Sequence, residues 1–187
     1  MASNGIVVLS GPPCSGKTTA RRVLAEQRAS AGRIHLEVDS LFELLFPESD
    51  RNRDDRMHAY AGAHLLARML VDRADTVVLE CTYARRDQRA SLLETLAGSA
   101  APLWVVEFFV TPDEAVGRFR QRHQVTDLDE ALVRERAEAF PYFAGALRVE
   151  SSSGTPEQHA QHISTWLRQG PRPVDRDAWV RAGRAWN

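Results

Sequence analysis

Five strand-forming runs divide the chain, and between them apolar residues recur at helical spacing. The first run covers residues 5–10 and leads through a Gly-rich stretch into a helical pattern over 17–31. A second strand is expected over 33–38, ending at Asp39, with Ser40 as N-cap of a short helix that Pro47 breaks. After the polar stretch 48–56 a long amphipathic helix is expected over 57–71, then a buried strand over 76–81. A helix over 85–96, a strand over 103–110 and a helix opened by Thr111-Pro112-Asp113-Glu114 follow. That helix runs to about residue 123, and a polar bend at 124–129 leads to another helix over 128–140. A fifth strand over 146–150 and a helix capped by Thr155-Pro156-Glu157 complete the pattern, leaving a tail, 169–187, expected to pack as an extended segment with a short helix.

Strands that alternate with helices predict an α/β fold: a five-stranded parallel sheet with helices on both faces. In such sheets ligands sit at the carboxyl ends of the strands. The residues that follow each strand are therefore the first candidates for chemistry: 11–18, Asp39-Ser40, Glu80 to Arg86, Thr111-Pro112 and Ser151 to Thr155.

The first of these segments is the most specific. Gly11-Pro12-Pro13-Cys14-Ser15-Gly16-Lys17-Thr18-Thr19 contains Gly-x-x-x-x-Gly-Lys-Thr between a strand and a helix, the setting of a phosphate-binding loop. The glycines allow backbone conformations that bring main-chain N–H groups around an anion, and the helix N-terminus adds the positive end of its dipole. Lys17 is placed to reach the β and γ phosphates, and the Thr18 hydroxyl to ligate Mg²⁺. Lys17 is also the sole lysine in a chain with 23 arginines. A guanine-specifying Asn-Lys-x-Asp motif is thereby excluded, and ATP is the expected nucleotide.

Asp39 has three readings: a base that takes the proton of an attacking hydroxyl, a carboxylate that holds a water on Mg²⁺, or a helix cap. Glu80 can serve Mg²⁺ through water, bind substrate, or be satisfied by the first helix or an arginine. Arg118 and Arg122, four apart on a helix, are candidates to clamp a transferring phosphoryl group; Arg120 between them fits better as a partner of Asp127, Asp129 or Glu130. Arg51, Arg53 and Arg56 before the long helix, and Arg85, Arg86 and Arg89 after the third strand, are candidates to hold an acceptor, with Arg53 and Arg86 the preferred pair.

Composition narrows the classes. The net charge is −1 with 26% charged residues, which argues against a bulk electrostatic grip on nucleic acid while leaving a local groove open. Two cysteines, Cys14 and Cys81, make neither a disulfide framework nor a zinc site. No run approaches the roughly 20 apolar residues of a membrane span. One cytoplasmic domain over 1–187 is expected, with a mobile lid at about 118–130.

These residues together resemble the small P-loop kinases of the nucleotide-kinase type. The similarity is greatest to the chloramphenicol phosphotransferase-like kinases, with zeta toxins and polynucleotide kinases more distant. Gly11–Thr18, Val38-Asp39-Ser40-Leu41, Val77-Val78-Leu79-Glu80, Trp104-Val105-Val106 and Gly117-Arg118-Phe119-Arg120-Gln121-Arg122 carry it; residues 42–64 depart from the pattern. The resemblance implies Asp39 as base, Arg118 and Arg122 as lid arginines, and an adenine site beside Ser151 to Thr155. It implies transfer of the ATP γ-phosphate to a hydroxyl of a small molecule such as an antibiotic, sugar or nucleoside-like metabolite. Two other readings stay open: phosphorylation of a nucleic-acid end or sugar-nucleotide, and an ATPase switch acting on a partner protein.

Overall fold

The computed structural model describes residues 4–27, 32–74, 76–122 and 127–185. The expected last turn of the first helix and residues 123–126 of the expected lid lie outside these. The elements run β1 (Gly5–Ser10), α1 (Lys17–Glu26), β2 (Arg33–Glu37), α2 (Val38–Leu45), α3 (Arg53–Leu70), β3 (Thr76–Glu80), α4 (Arg86–Thr95) and β4 (Leu103–Phe109). They continue with α5 (Pro112–Arg120), α6 (Glu130–Glu138), β5 (Leu147–Glu150), α7 (Pro156–Arg168) and α8 (Arg176–Ala182).

The five strands form one parallel sheet in the order β2-β3-β1-β4-β5. β1 lies at its centre, and all six of its residues are buried. Strand alternation sends its side chains to two cores. Ile6 and Val8 join residues of α2, α3, α4 and α8, while Val7 and Leu9 join residues of α1 and α7. Because both faces are covered, the inner strands β1, β3 and β4 are mostly apolar, whereas the edge strands β2 and β5 alternate. In register, Leu9 pairs with Glu80 and Glu80 with Glu37, so β1, β3 and β2 end together at one edge of the sheet. No helix among the described residues is long and apolar enough to cross a membrane.

The starts of α2 and α3 differ most from expectation. β2 ends at Glu37, and α2 opens directly at Val38, whose side chain is buried in the core; Ser40 is inside the helix and does not cap it. α3 starts four residues early because Asn52 caps it, its side chain accepting from the Asp55 N–H at 2.9 Å, with Asp54 and Asp55 in the first turn.

The tail is tied into the sheet's helical layer. Trp179 is fully buried, and Arg89, also fully buried, donates to the carbonyls of Tyr83 (2.8 Å), Trp179 (2.8 Å) and Pro141 (3.0 Å). Arg89 is therefore an internal brace rather than an acceptor ligand. The Arg86 and Arg184 backbones complete the attachment, with Arg86 N–H to Arg184 O at 2.8 Å and Arg184 N–H to Ala84 O at 2.9 Å.

The interior also holds titratable groups that set an acid response. His64 is fully buried, its ring nitrogens each 3.0 Å from Ser91 Oγ and Tyr83 OH. Burial lowers its pKa to about 3. An unfolded chain protonates this group near 6.5, so its contribution to stability is complete above that pH and lost as pH falls toward 3. Glu107, pushed up to about 7 by burial, works in the opposite sense over part of that range. His64→Gln should flatten the acid loss of stability by up to about 1.4 kcal/mol per pH unit, the limit approached below pH 6, relative to the parent. Urea midpoints measured from pH 7 down to 5 read this directly, and parallel curves for the two proteins would refute it.

Candidate functional site

The loop after β1 adopts the backbone that its composition requires. Gly11, Cys14 and Gly16 all have positive φ, at 153°, 60° and 84°. A Cβ on Gly11 would stand 2.8 Å from Phe108 O and from Ser15 Oγ, so no side chain fits there. Ser15 Oγ is buried and without a hydrogen-bond partner among the described residues. Lys17 opens α1, is 8% exposed, and among the described residues has only long contacts: Pro12 O at 3.4 Å and Glu80 Oε1 at 4.0 Å. A tight loop, an orphan hydroxyl and a weakly engaged buried ammonium fit an incoming polyanion.

Glu80 lies behind this ammonium at the end of β3, 1% exposed. Burial raises its pKa, opposed by Lys17 and, more weakly, Arg21. Arg21 of α1 approaches its Oε2 at 3.6 Å and pairs with Glu37 at 2.6 Å. Oε2 has no hydrogen bond among the described residues. An oxygen donor left buried and under-satisfied, beside the loop lysine, fits a hard divalent cation.

Asp39 is an exposed residue of the first turn of α2 and lines a cavity of about 290 Å³. The Cys81 thiol donates to its Oδ1 at 3.7 Å. Burial, and next Asp39 itself, push the Cys81 thiol well up, so it stays protonated as a donor. The cavity walls come from α2, the start of α3, the segment after β3, the end of α6 and the tail.

The expected arginines separate. Arg118 is drawn to the phosphate loop, donating to Cys14 O at 3.3 Å, to Ser151 O at 3.2 Å and to Ser151 Oγ. Ser151 Oγ in turn donates to Ser15 O at 2.6 Å. The loop after β5 is thus joined to the phosphate loop through Arg118, and Cys14 packs with Val116, Val133 and Ala137 of α5 and α6. Arg122 is not brought to the same place. α5 ends at Arg120, Gln121 is its C-cap, and Arg122 lies exposed beyond it, so the four-residue spacing no longer selects one helix face. Arg120 pairs with Glu130 through two contacts at 2.7–2.8 Å.

On the acceptor side Arg53 lines the cavity and pairs with Asp87 at 3.0 Å. Arg86 does not line it, and instead reaches Arg181 O in the tail at 3.5 Å; its neighbour Arg85 is the one on the wall. Sequence reasoning missed Arg136 and Arg184, which also line the cavity. Their signal was faint: one is on the polar face of a helix, the other in a tail of unassigned role.

A family model described as AAA domain matches residues 6–141. A search of curated proteins found no match. Among solved structures, a protein of Chloroflexus aurantiacus is 22% identical at a TM-score of 0.71, covering 91% of this chain and 97% of that one. The APS kinase CysC of Mycobacterium tuberculosis, in complex with AMPPNP and APS, is 16% identical at 0.68, covering 90% and 99%. A sugar kinase from Janibacter sp. HTCC2649 is 18% identical at 0.66, covering 90% and 96%. The fold is the nucleoside-monophosphate-kinase type of P-loop architecture.

Proposed function

We propose that this chain, which belongs to the AAA domain family, is a kinase that transfers the γ-phosphate of ATP to a hydroxyl of a small molecule. The observation that carries this reading is the sharing of one sheet edge by two sites. The phosphate loop follows β1, and the cavity bearing Asp39 opens beside the ends of β2 and β3. The neighbours described as a sugar kinase and an APS kinase support a small-molecule acceptor.

On this reading the loop residues 11–19 and Lys17 hold the triphosphate, and Arg118 binds on the nucleotide side near Ser151. Thr18 and Glu80 would hold Mg²⁺, which when bound neutralises charge on the phosphates. The acceptor oxygen attacks the γ-phosphorus, the bond to the β–γ bridging oxygen breaks, and ADP leaves with that oxygen. The hydroxyl proton passes to Asp39 and then to solvent. Lys17 meets the charge that builds on the phosphoryl oxygens. Arg53 belongs to the acceptor wall; Arg86 and Arg122 take no part in this arrangement. The reading places the enzyme in the cytoplasm, where ATP and Mg²⁺ are available, as one kinase domain with its lid at about 118–130. A cavity of about 290 Å³ suits a small acceptor better than a strand of nucleic acid.

A screen of hydroxylated compounds for acceptor-dependent ADP release tests the reading; failure to bind MgATP would overturn it. Arg118→Ala should raise the KM for ATP about tenfold and change kcat less, as expected of a contact made equally in the ground and transition states. Steady-state kinetics on ATP would show this, and an unaltered KM would remove Arg118 from the nucleotide site.

A further inference from the structure

The cavity beside Asp39 is lined by six arginines, Arg51, Arg53, Arg56, Arg85, Arg136 and Arg184, against two aspartates, Asp39 and Asp127. Some of this charge is balanced from outside the cavity: Arg53 by Asp87 at 3.0 Å, and Arg51 by Glu43 at 3.1 Å. Within the cavity Asp127 is shared, meeting Arg56 at 2.5 Å and Arg51 at 3.9 Å. Arg136 is half-buried, with no hydrogen bond or ion pair among the described residues. Burial is the first reason its pKa is lowered, and repulsion from Arg56 is the second. Like charges gathered in a partly desolvated pocket repel strongly, and an entering anion relieves that repulsion. A neutral alcohol would leave it in place.

Building on the kinase reading, we propose that the acceptor is an anion: a hydroxyl compound that carries an oxyanion group, held by Arg56 and Arg136 while its hydroxyl faces Asp39. The Asp127 carboxylate stands in for that group until the acceptor enters. Guanidinium forks match the paired oxygens of phosphate, sulfate and carboxylate alike, so the shared chemistry is the oxyanion.

The test uses the full chain saturated with MgADP, which fills the phosphate loop. Inorganic phosphate, sulfate and malonate are titrated by calorimetry, with glycerol as the neutral control. At least one of the three anions should bind with a low-millimolar or tighter Kd, and glycerol should not. Arg136→Ala should weaken that binding at least tenfold, and Asp127→Asn, which removes the competing carboxylate, should tighten it several-fold. The opposite signs separate a built site from general ionic strength effects. The strongest anion identifies the group, whether tetrahedral or carboxylate. No anion binding in a protein that melts cooperatively, or equal binding in parent and Arg136→Ala, overturns the proposal. Failure of MgADP to bind would instead count against the kinase reading. The anion titration would then be read on Lys17→Ala, where the loop no longer competes.

Discussion

Lys17→Ala is expected to weaken MgATP binding about a hundredfold by calorimetry and to lower acceptor-dependent ADP release by a further 10²–10³-fold. The physical basis is placement. Lys17 is the chain's one lysine and is buried at the start of α1, with its ammonium held only loosely by Pro12 O and Glu80. A buried cation so weakly engaged is available to a phosphate, and nothing else on the loop carries a full positive charge. Its removal should leave the fold intact, because Arg21 still faces Glu80 at 3.6 Å and the burial of β1 does not involve the side chain. An unaltered far-UV spectrum and melting curve should accompany the loss. If Lys17→Ala bound MgATP as the parent does, the phosphate loop would not be the nucleotide site.

The second large effect concerns Asp39. Asp39→Asn keeps size and shape, so the cavity and the contact from the Cys81 thiol persist, while the ability to take up a proton goes. General-base contributions are typically 10²–10⁴-fold, and kcat should fall within that range. MgATP affinity should stay within about twofold, because the side chain lies on the acceptor side of Lys17 and not in the loop. Single-turnover measurements of ADP formation would separate the chemical step from release. Near-normal turnover would leave Asp39 with its other role, a carboxylate in the first turn of α2 that favours the helix dipole.

Much of this architecture was legible because the apolar runs are continuous. β1, β3 and β4 are buried on both faces, and only strands of that kind produce such runs here. The phosphate loop was legible because its glycines are dictated by backbone geometry, which no other residue can imitate. The boundaries around Asp39 were less legible. Val38 has a strand-former's side chain but sits in the core as the first residue of a helix, so tertiary burial overrode local preference. The Asn52-x-x-Asp55 cap was present in the sequence, hidden in a stretch that looked merely polar. Arg118 and Arg122 show the limit of spacing arguments: the reading held only if the helix continued, and α5 stops at Arg120. Arg136 and Arg184 could not be singled out among 23 arginines, because exposure and cavity lining look the same until the tail is folded back.

The folded-back tail has a consequence for how the molecule comes into being. The loop after β1 is braced by Arg118, Ser151 and the α5–α6 side chains, all of which precede the tail in the chain, whereas one wall of the neighbouring chamber is completed by Arg184, docked along Ala84 and Arg86. Arg184 leaves the ribosome long after Lys17. A nascent chain therefore has the whole loop and its braces in hand before the last wall of the chamber exists, and a fusion that keeps this segment from docking should leave the chamber open while sparing the loop.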